Sequence, residues 1–437
     1  MKLLTAFVLI SVFSGFSIFS LLWPQKNAVL PTYLYSNIGY DKYGGWQSVK
    51  SNATGFFRTE QINGVWWLIT PEGNAFISKG FNAAGLKAGN KSEPDMTINF
   101  LRGLGINTAG AWSPSLYQKG LPYVVLVDML KSYAAYKHID VKDRLPDVFS
   151  KDLEKFLAIN QKRLEAIIKP FANDPYLIGW WTDNELRWAK EYRHILDTYL
   201  KLPESAEGRK TAEEYLRQKF GEPTLPKDEA RLQEARDGFV ELSVRRYAQI
   251  TTEAVKQYDK NHLILGSRLF FTPSTQKNIL MPERMGGFEA IARGARGYWD
   301  AISINTYFDE TPLERARKLY SAFNGPIIIS EFNIHSAIKS QGKFGEAEWQ
   351  ARADISALGH GNQIPPLLNE PYIVGYHWFP YRNYTTPIPN NSRPGIISYH
   401  YKPRDVIVSS FRRVNFLLEK IHCGNKCVSV GAPAGSQ

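Results

Sequence analysis

Apolar residues along this chain gather in short uninterrupted runs, separated by stretches where they recur every three or four positions. The runs are Ala75–Asn82, Gly105–Trp112, Tyr123–Asp128, Tyr176–Thr182, His262–Leu269, Trp299–Tyr307, Pro326–Glu331 and Tyr372–Phe379. A continuous run of this kind marks a strand covered on both faces, because an exposed face would force alternation with polar residues. The intervening stretches carry helical spacing: Pro94–Leu104, Phe149–Ile168, Asp228–Tyr258, Pro282–Ala295, Pro312–Phe323, Gly345–Leu358 and a closing Pro403–Ile421. The second crossover, Ser113–Gly120, is short. Ala189–Lys227 is a charged, helical insertion, a candidate lid or rim element. Strands and helices alternating in this number predict an α/β fold, one (β/α)8 TIM barrel over residues 75–421.

Residues 31–74 read as a lead-in and a hairpin. Asn63-Gly64 is a strong two-residue turn signal, with Gln61-Ile62 before it and Val65-Trp66-Trp67-Leu68 after it. Ahead of this, the chain is uncharged from Leu3 to Trp23. That length suits either a signal peptide, with Gly15-Phe16-Ser17 as a weak cleavage site, or a membrane anchor within residues 1–30. Either predicts export, the protein being secreted, periplasmic or anchored facing outward, and touching membrane only through this segment. The tail, residues 422–437, holds the two cysteines of the chain, Cys423 and Cys427. In an exported protein they are candidates for a disulfide, and two cysteines alone make no metal site.

Composition changes this picture little. At 437 residues and 43% hydrophobic the chain can bury a large single core. The 11 Trp and 23 Tyr suit sugar rings as well as packing. A net charge of +11 suits an anionic partner (sulfated or carboxylated polysaccharide, membrane surface, nucleic acid), and its even spread favours a merely soluble surface over these. The charge is spread out, with no Lys/Arg block of the nucleic-acid type, so nucleic acid is not expected. Four glycosylation sequons, at Asn52, Asn90, Asn383 and Asn390, are no more than chance supplies.

The chemistry is concentrated at the carboxyl ends of the runs, where parallel barrels place their active sites. The fourth run leads into Asp183, Asn184 and Glu185, and the seventh ends on Glu331. Two carboxylates on different strands of one mouth are the minimum equipment for cleaving a glycosidic bond. The other ends supply Asn82, Trp112, Arg268, Asn305, Tyr307, His377 and Trp378, groups that hydrogen-bond hydroxyls or stack on rings. Asp128 and His335 are weaker candidates, and Asp183 serves equally well as a turn-fixing residue. Each alone reads as a cap or a salt-bridge partner, and their convergence on one rim is what points to a site.

These residues resemble those of the large clan of retaining glycoside hydrolases on (β/α)8 barrels: Asn184-Glu185 on strand four, Tyr307 on six, Glu331 on seven and Trp378 on eight. Within that clan the segments NGVWWLITPEGNAFISKG (Asn63–Gly80), DNELRW (Asp183–Trp188), LGSR (Leu265–Arg268) and VGYHWF (Val374–Phe379) resemble β-agarase-type hydrolases, over about residues 57 to 420. Two departures stand out. The chain given has no room for the sugar-binding β-sandwich such agarases usually carry, and PYRNY after Phe379 lacks their acidic continuation. The resemblance implies hydrolysis of a β-linked poly- or oligosaccharide, a galactan among the candidates, without cofactor or metal. Glu331 is then the nucleophile and Glu185 the acid/base, lying against Trp180 or Trp181. Asn184 would bond the sugar 2-hydroxyl, Tyr307 would donate to Glu331, and Trp378 would form the floor beneath the ring. A transglycosylase remodelling a wall or capsule glycan, or a barrel that binds sugar without cleaving it, would carry much the same residues.

Overall fold

The computed structural model describes residues 39–85, 93–139, 145–186, 189–190, 193–270, 288–307, 313–334, 345–383, 393–398 and 400–427. The Leu3–Trp23 run, His335, Asn90 and Asn390 fall outside them. Eight parallel strands close into a barrel: β1 (Ser78–Phe81), β2 (Thr108–Ala109), β3 (Tyr123–Leu126), β4 (Leu177–Asn184), β5 (Leu263–Phe270), β6 (Ile302–Thr306), β7 (Ile327–Phe332) and β8 (Ile373–Trp378). Each pairs with the next in chain order, and β8 pairs back onto β1 with His377 opposite Gly80. A Cβ on Gly80 would come 2.5 Å from the His377 ring, so this close approach admits only glycine.

Two expectations need correction here. The run Ala75–Asn82 is not one strand: Asn74–Phe76 joins an antiparallel sheet with Val65–Ile69, Arg58–Ile62 and Trp46–Lys50, and only Ser78–Phe81 enters the barrel. The break is dictated by Phe76, which packs with Phe57 and Leu68 against the apolar floor of the barrel. The run Gly105–Trp112 yields only the two residues of β2, because the Asn107 side chain substitutes for the ladder. Its Oδ1 accepts from Lys79 N at 2.8 Å and its Nδ2 donates to Ile77 O at 2.9 Å. The hairpin forms as read, with Ile62 opposite Val65 and both Asn63 and Gly64 at positive φ.

The small sheet closes the amino end of the barrel. Tyr43, Phe57, Leu68 and Phe76 form one cluster with Val124, Ile178, Trp181, Leu265, Ile328 and Val374, the inward residues of the barrel strands. Tyr43 meets Tyr176 and Phe56 meets His262, both at strand starts. With that end plugged, the carboxyl end is left as the mouth.

The helices form the outer layer. The longest, Glu229–Lys256, buries Ala235, Phe239, Val240, Val244, Tyr247, Ala248, Thr251 and Val255, a stripe at helical spacing, and Asp228 caps its start by accepting from Arg231 N at 2.9 Å. The insertion supplies helices Ile195–Tyr199 and Glu207–Phe220, docked on that long helix through Arg236–Asp197 and Tyr215–Phe239. Phe149–Ile168 divides at Asn160 into two helices, and Pro403–Ile421 divides into Asp405–Asn415 and Leu418–Cys423. A helix over Met129–Tyr136 follows β3 where none was expected. No described helix is long and apolar enough to cross a membrane. Cys423 is buried and disulfide-bonded, and Cys427 is the only other cysteine of the chain. Asn383 is 1% exposed and its Oδ1 accepts from Gly395 N, which closes that sequon to a glycan.

One polar contact in the outer layer spans nearly the whole chain. Lys79 of β1 points outward, fully buried, and its ammonium sits 2.5 Å from Glu419 Oε1 and 3.1 Å from Asn415 O. Tyr40 donates to the other oxygen of Glu419 at 3.0 Å. The early chain, the barrel and the last helices are thus joined at one dry ion pair.

Candidate active site

Strand irregularities aim the mouth residues. Along β6 and β7, Ile304 faces Ile329 but Asn305 faces Glu331, so β7 carries one extra residue, Ser330. This bulge breaks the alternation: Ile328 and Glu331 face the interior and the mouth, while Phe332 turns outward onto Tyr376 and Trp378. On β4 the wholly buried run ends at Asn184, and Glu185 then takes φ +53°, a conformation uncommon for a residue with a side chain. The Glu185 N–H donates to Arg268 O at 2.8 Å, which fixes this turn to β5.

Arg268 is the hub. Its guanidinium is fully buried, 4.8 Å from the Trp112 ring and 4.7 Å from the Trp181 ring. Nη1 donates to Asn184 Oδ1 at 2.9 Å and Nη2 to Ser330 O at 2.8 Å. The same Nη2 lies 2.7 Å from Glu331 Oε1, an ion pair in which both partners are nearly dry. Asn305 completes the frame. Its Nδ2 donates to Glu185 Oε1 at 2.9 Å and to Asn184 Oδ1 at 3.2 Å, while Ser330 Oγ donates to its Oδ1 at 2.7 Å. Arg268, Asn184 and Asn305 therefore link the two glutamates into one network. Glu331 is 3% exposed, whereas Glu185 is half-buried. Burial pushes the Glu331 carboxyl up to about 7. Arg268 and, more weakly, Arg393 pull it down, and the charge of Glu185 pushes it up.

Several candidates sit elsewhere than expected. Trp378 is fully buried on the outer side of the barrel, against Phe332, His360 and Phe411, so it cannot form a floor for a sugar. Its neighbour Phe379 is the residue of this strand end that joins the mouth aromatics, half-buried and in edge contact with Trp112 and Tyr307. Asn82 is a scaffold residue: Nδ2 donates to Ser330 O, Oδ1 accepts from Ala111 N, and nothing is left for a ligand. His377 lies inside the barrel on Ser78 and Trp181, 1% exposed, and burial lowers it to about 3. Tyr307 does not hold Glu331, which Arg268 does. The Tyr307 ring instead carries the Arg393 guanidinium, 3.4 Å from its centroid. Trp180 turns outward to donate to Asp259, and Trp181 points inward to donate to Ser303, so neither indole makes the expected bed for Glu185.

Asp183 proves structural. It accepts from Leu130 N and Lys131 N at 3.0 Å and from Tyr247 OH at 2.7 Å, capping the unexpected helix, and burial pushes it up to about 7. Asp128 begins that helix at φ +56°. Sequence reasoning missed Ser330, Phe379 and Arg393. A serine beside the glutamate, where alternation would have both facing alternate sides, was the one available sign of the bulge.

The fold and this network define a (β/α)8 barrel with two linked glutamates at its carboxyl end, Glu185 just past β4 and Glu331 on β7. The chain is similar to Beta-agarase B of Vibrio sp. (strain JT0107), 21% identical over 439 aligned residues that take in 78% of this chain. It spans about half that relative, 46% of its length. No family model matches. Among solved structures, BpGH50 superposes at TM-score 0.69 with 20% identity, covering 91% of this chain and 89% of that one. An exo-beta-agarase superposes at 0.70 with 16% identity, covering 92% and 72%. These likenesses establish the shared fold.

Proposed function

We propose that this protein is a retaining β-glycoside hydrolase, with Glu331 as nucleophile and Glu185 as acid/base. The observation that carries the reading is the Arg268–Asn184–Asn305 network, which joins the carboxyl groups of Glu185, just past β4, and Glu331 of β7 at the carboxyl end of the barrel. In the first step Glu331 attacks the anomeric carbon, the glycosidic C–O bond breaks, and Glu185 gives its proton to the departing oxygen. In the second, Glu185 takes a proton from water, the water oxygen attacks the same carbon, and Glu331 leaves as carboxylate. Retention needs the two carboxyls about 5–5.5 Å apart.

Asn184 has its Oδ1 committed to Arg268 and Asn305, which leaves its Nδ2 to serve as the donor for the 2-hydroxyl. Phe379 and Trp112 supply the apolar faces for the ring. An agarose-type galactan is the substrate class that the named relatives suggest, and the uncharged Leu3–Trp23 run supports export to where such polymers lie. The test is product analysis on a panel of neutral and charged polysaccharides, wild type beside Glu331→Ala, with the anomer of the first product read by NMR. Release of oligosaccharides with inverted configuration, or equal release by Glu331→Ala, would refute it.

A further inference from the structure

Among the described residues, Arg268 and Arg393 both bear on the Glu331 carboxyl, and they are held differently. Arg268 is fully buried and spent on Glu331, Asn184 and Ser330, so it cannot reach a ligand. Arg393 is half-buried, on the segment that returns to the rim after β8, and lies on the Tyr307 ring. Tyr307 follows β6 two residues after Asn305, the residue bonded to Glu185, and meets the mouth aromatics Phe379 and Phe270. The charge of Arg393 lowers the Glu331 carboxyl, less than Arg268 does, in keeping with its seat on the Tyr307 ring.

We propose that Arg393 reads an anionic substituent, a carboxylate or a sulfate ester, on the sugar held at this mouth. The inference rests on the glycosidase reading and narrows it to charged glycans. The physical need is plain. A substrate anion brought beside Glu185 and Glu331 is repelled by both, and would drive the nucleophile toward its protonated form. A fixed cation offsets that repulsion. A guanidinium stacked on an aromatic ring is held flat, so little freedom is lost when its terminal nitrogens engage two oxygens in parallel, the geometry carboxylate and sulfate share. The stacking also explains why an arginine suits this position better than a lysine, whose ammonium presents no plane to lay on the ring.

The test compares kcat/KM on a neutral galactan oligosaccharide with sulfated and uronate-bearing counterparts of equal length, for wild type, Arg393→Lys and Arg393→Gln. Wild type is expected to favour one charged class by about tenfold or more, the scale of one charge-assisted contact. Arg393→Gln should cut that charged-to-neutral ratio by about tenfold, with Arg393→Lys between them. Which charged class wins, sulfate or carboxylate, names the source of the anion. Because the ratio is internal to each variant, a general loss of folded enzyme does not mimic the effect.

Titration of the same oligosaccharides into Glu331→Ala, with and without Arg393→Gln, reads binding without turnover. Charged oligosaccharides that bind more tightly, and lose that advantage with Arg393→Gln, support the inference even if no substrate is cleaved, in which case the hydrolase reading alone falls. Cleavage of neutral and charged substrates at equal rates, or a ratio untouched by Arg393→Gln, overturns the inference and leaves the hydrolase reading standing. No binding of any oligosaccharide overturns both.

Discussion

The Arg268 guanidinium lies 2.7 Å from the Glu331 carboxylate with neither group open to solvent. Burial alone would keep Glu331 protonated, and this cation is what holds it within reach of the ionised form. A nucleophile works only when ionised, so activity should fall as pH drops below about 7. Replacing the cation by a neutral group raises the carboxyl further and moves this limb to higher pH. For Arg268→Gln the acid limb of kcat/KM should shift upward by about one to three pH units, the span expected for losing an opposite charge at this distance. A pH–rate profile checks it; an unmoved limb would detach Arg268 from the nucleophile.

Glu331→Gln keeps the shape of the side chain but cannot attack, so turnover should vanish while oligosaccharide binding persists. Glu185→Gln should cripple natural substrates yet spare the first step on aryl glycosides, whose leaving group needs no proton. Burst kinetics with an aryl glycoside distinguish the two roles. Equal loss in both variants on that substrate would reverse or remove the assignment.

Trp378 and Phe379 are adjacent and should behave oppositely. Trp378→Ala empties a fully buried site among Phe332, His360 and Phe411, and should cost about 3–5 kcal/mol of stability with near-normal kinetics in the folded fraction. Phe379→Ala should leave melting little changed and lower kcat/KM roughly five- to thirtyfold, the equivalent of about 1–2 kcal/mol of ring contact. Thermal melts beside Michaelis kinetics read both.

Asp183 offers a test of linkage. Its folded-state carboxyl is raised to about 7 from an ordinary 3.8, so the unfolded chain ionises first as pH rises. Its effect on stability is therefore constant below about pH 4, becomes steadily more unfavourable from there to about 7, and stays level beyond. The stability of wild type minus that of Asp183→Asn should fall across this window by at most about 4 kcal/mol. Urea midpoints at pH 4.5 and 7.5 for both proteins measure it; a gap that widens instead would mean the three donors around Asp183 outweigh its burial.

The barrel was legible because a strand covered on both faces leaves an apolar run, and β3 to β8 each keep one, while β1 and β2 are shorter than the runs that announced them. Glu185 and Glu331 were legible because each stands at the carboxyl end of such a run. The rest depended on events that a run does not record. Ser330 is an extra residue in β7 that turns Glu331 toward the mouth and Phe332 away from it. A comparable slip between Ile373 and Gly375 on β8 puts His377 inward and Trp378 outward, so an aromatic chosen by position in the run is off by one. Asn82 and Asn305 have the same chemistry at the same kind of place, yet the first is consumed by Ala111 and Ser330 and the second reaches Glu185. Only the partners distinguish them, and partners are set by the other strands.

The ion pair between Lys79 and Glu419 sets a schedule for making the protein. Residue 79 leaves the ribosome when four fifths of the chain is still to come, and its counter-charge arrives 340 residues later. Until then a closed barrel would enclose an unpaired ammonium, at a cost of about 3–5 kcal/mol. The growing chain is thereby discouraged from sealing β8 onto β1 before its last helices exist, and a nascent protein halted near residue 400 stays open along that one seam.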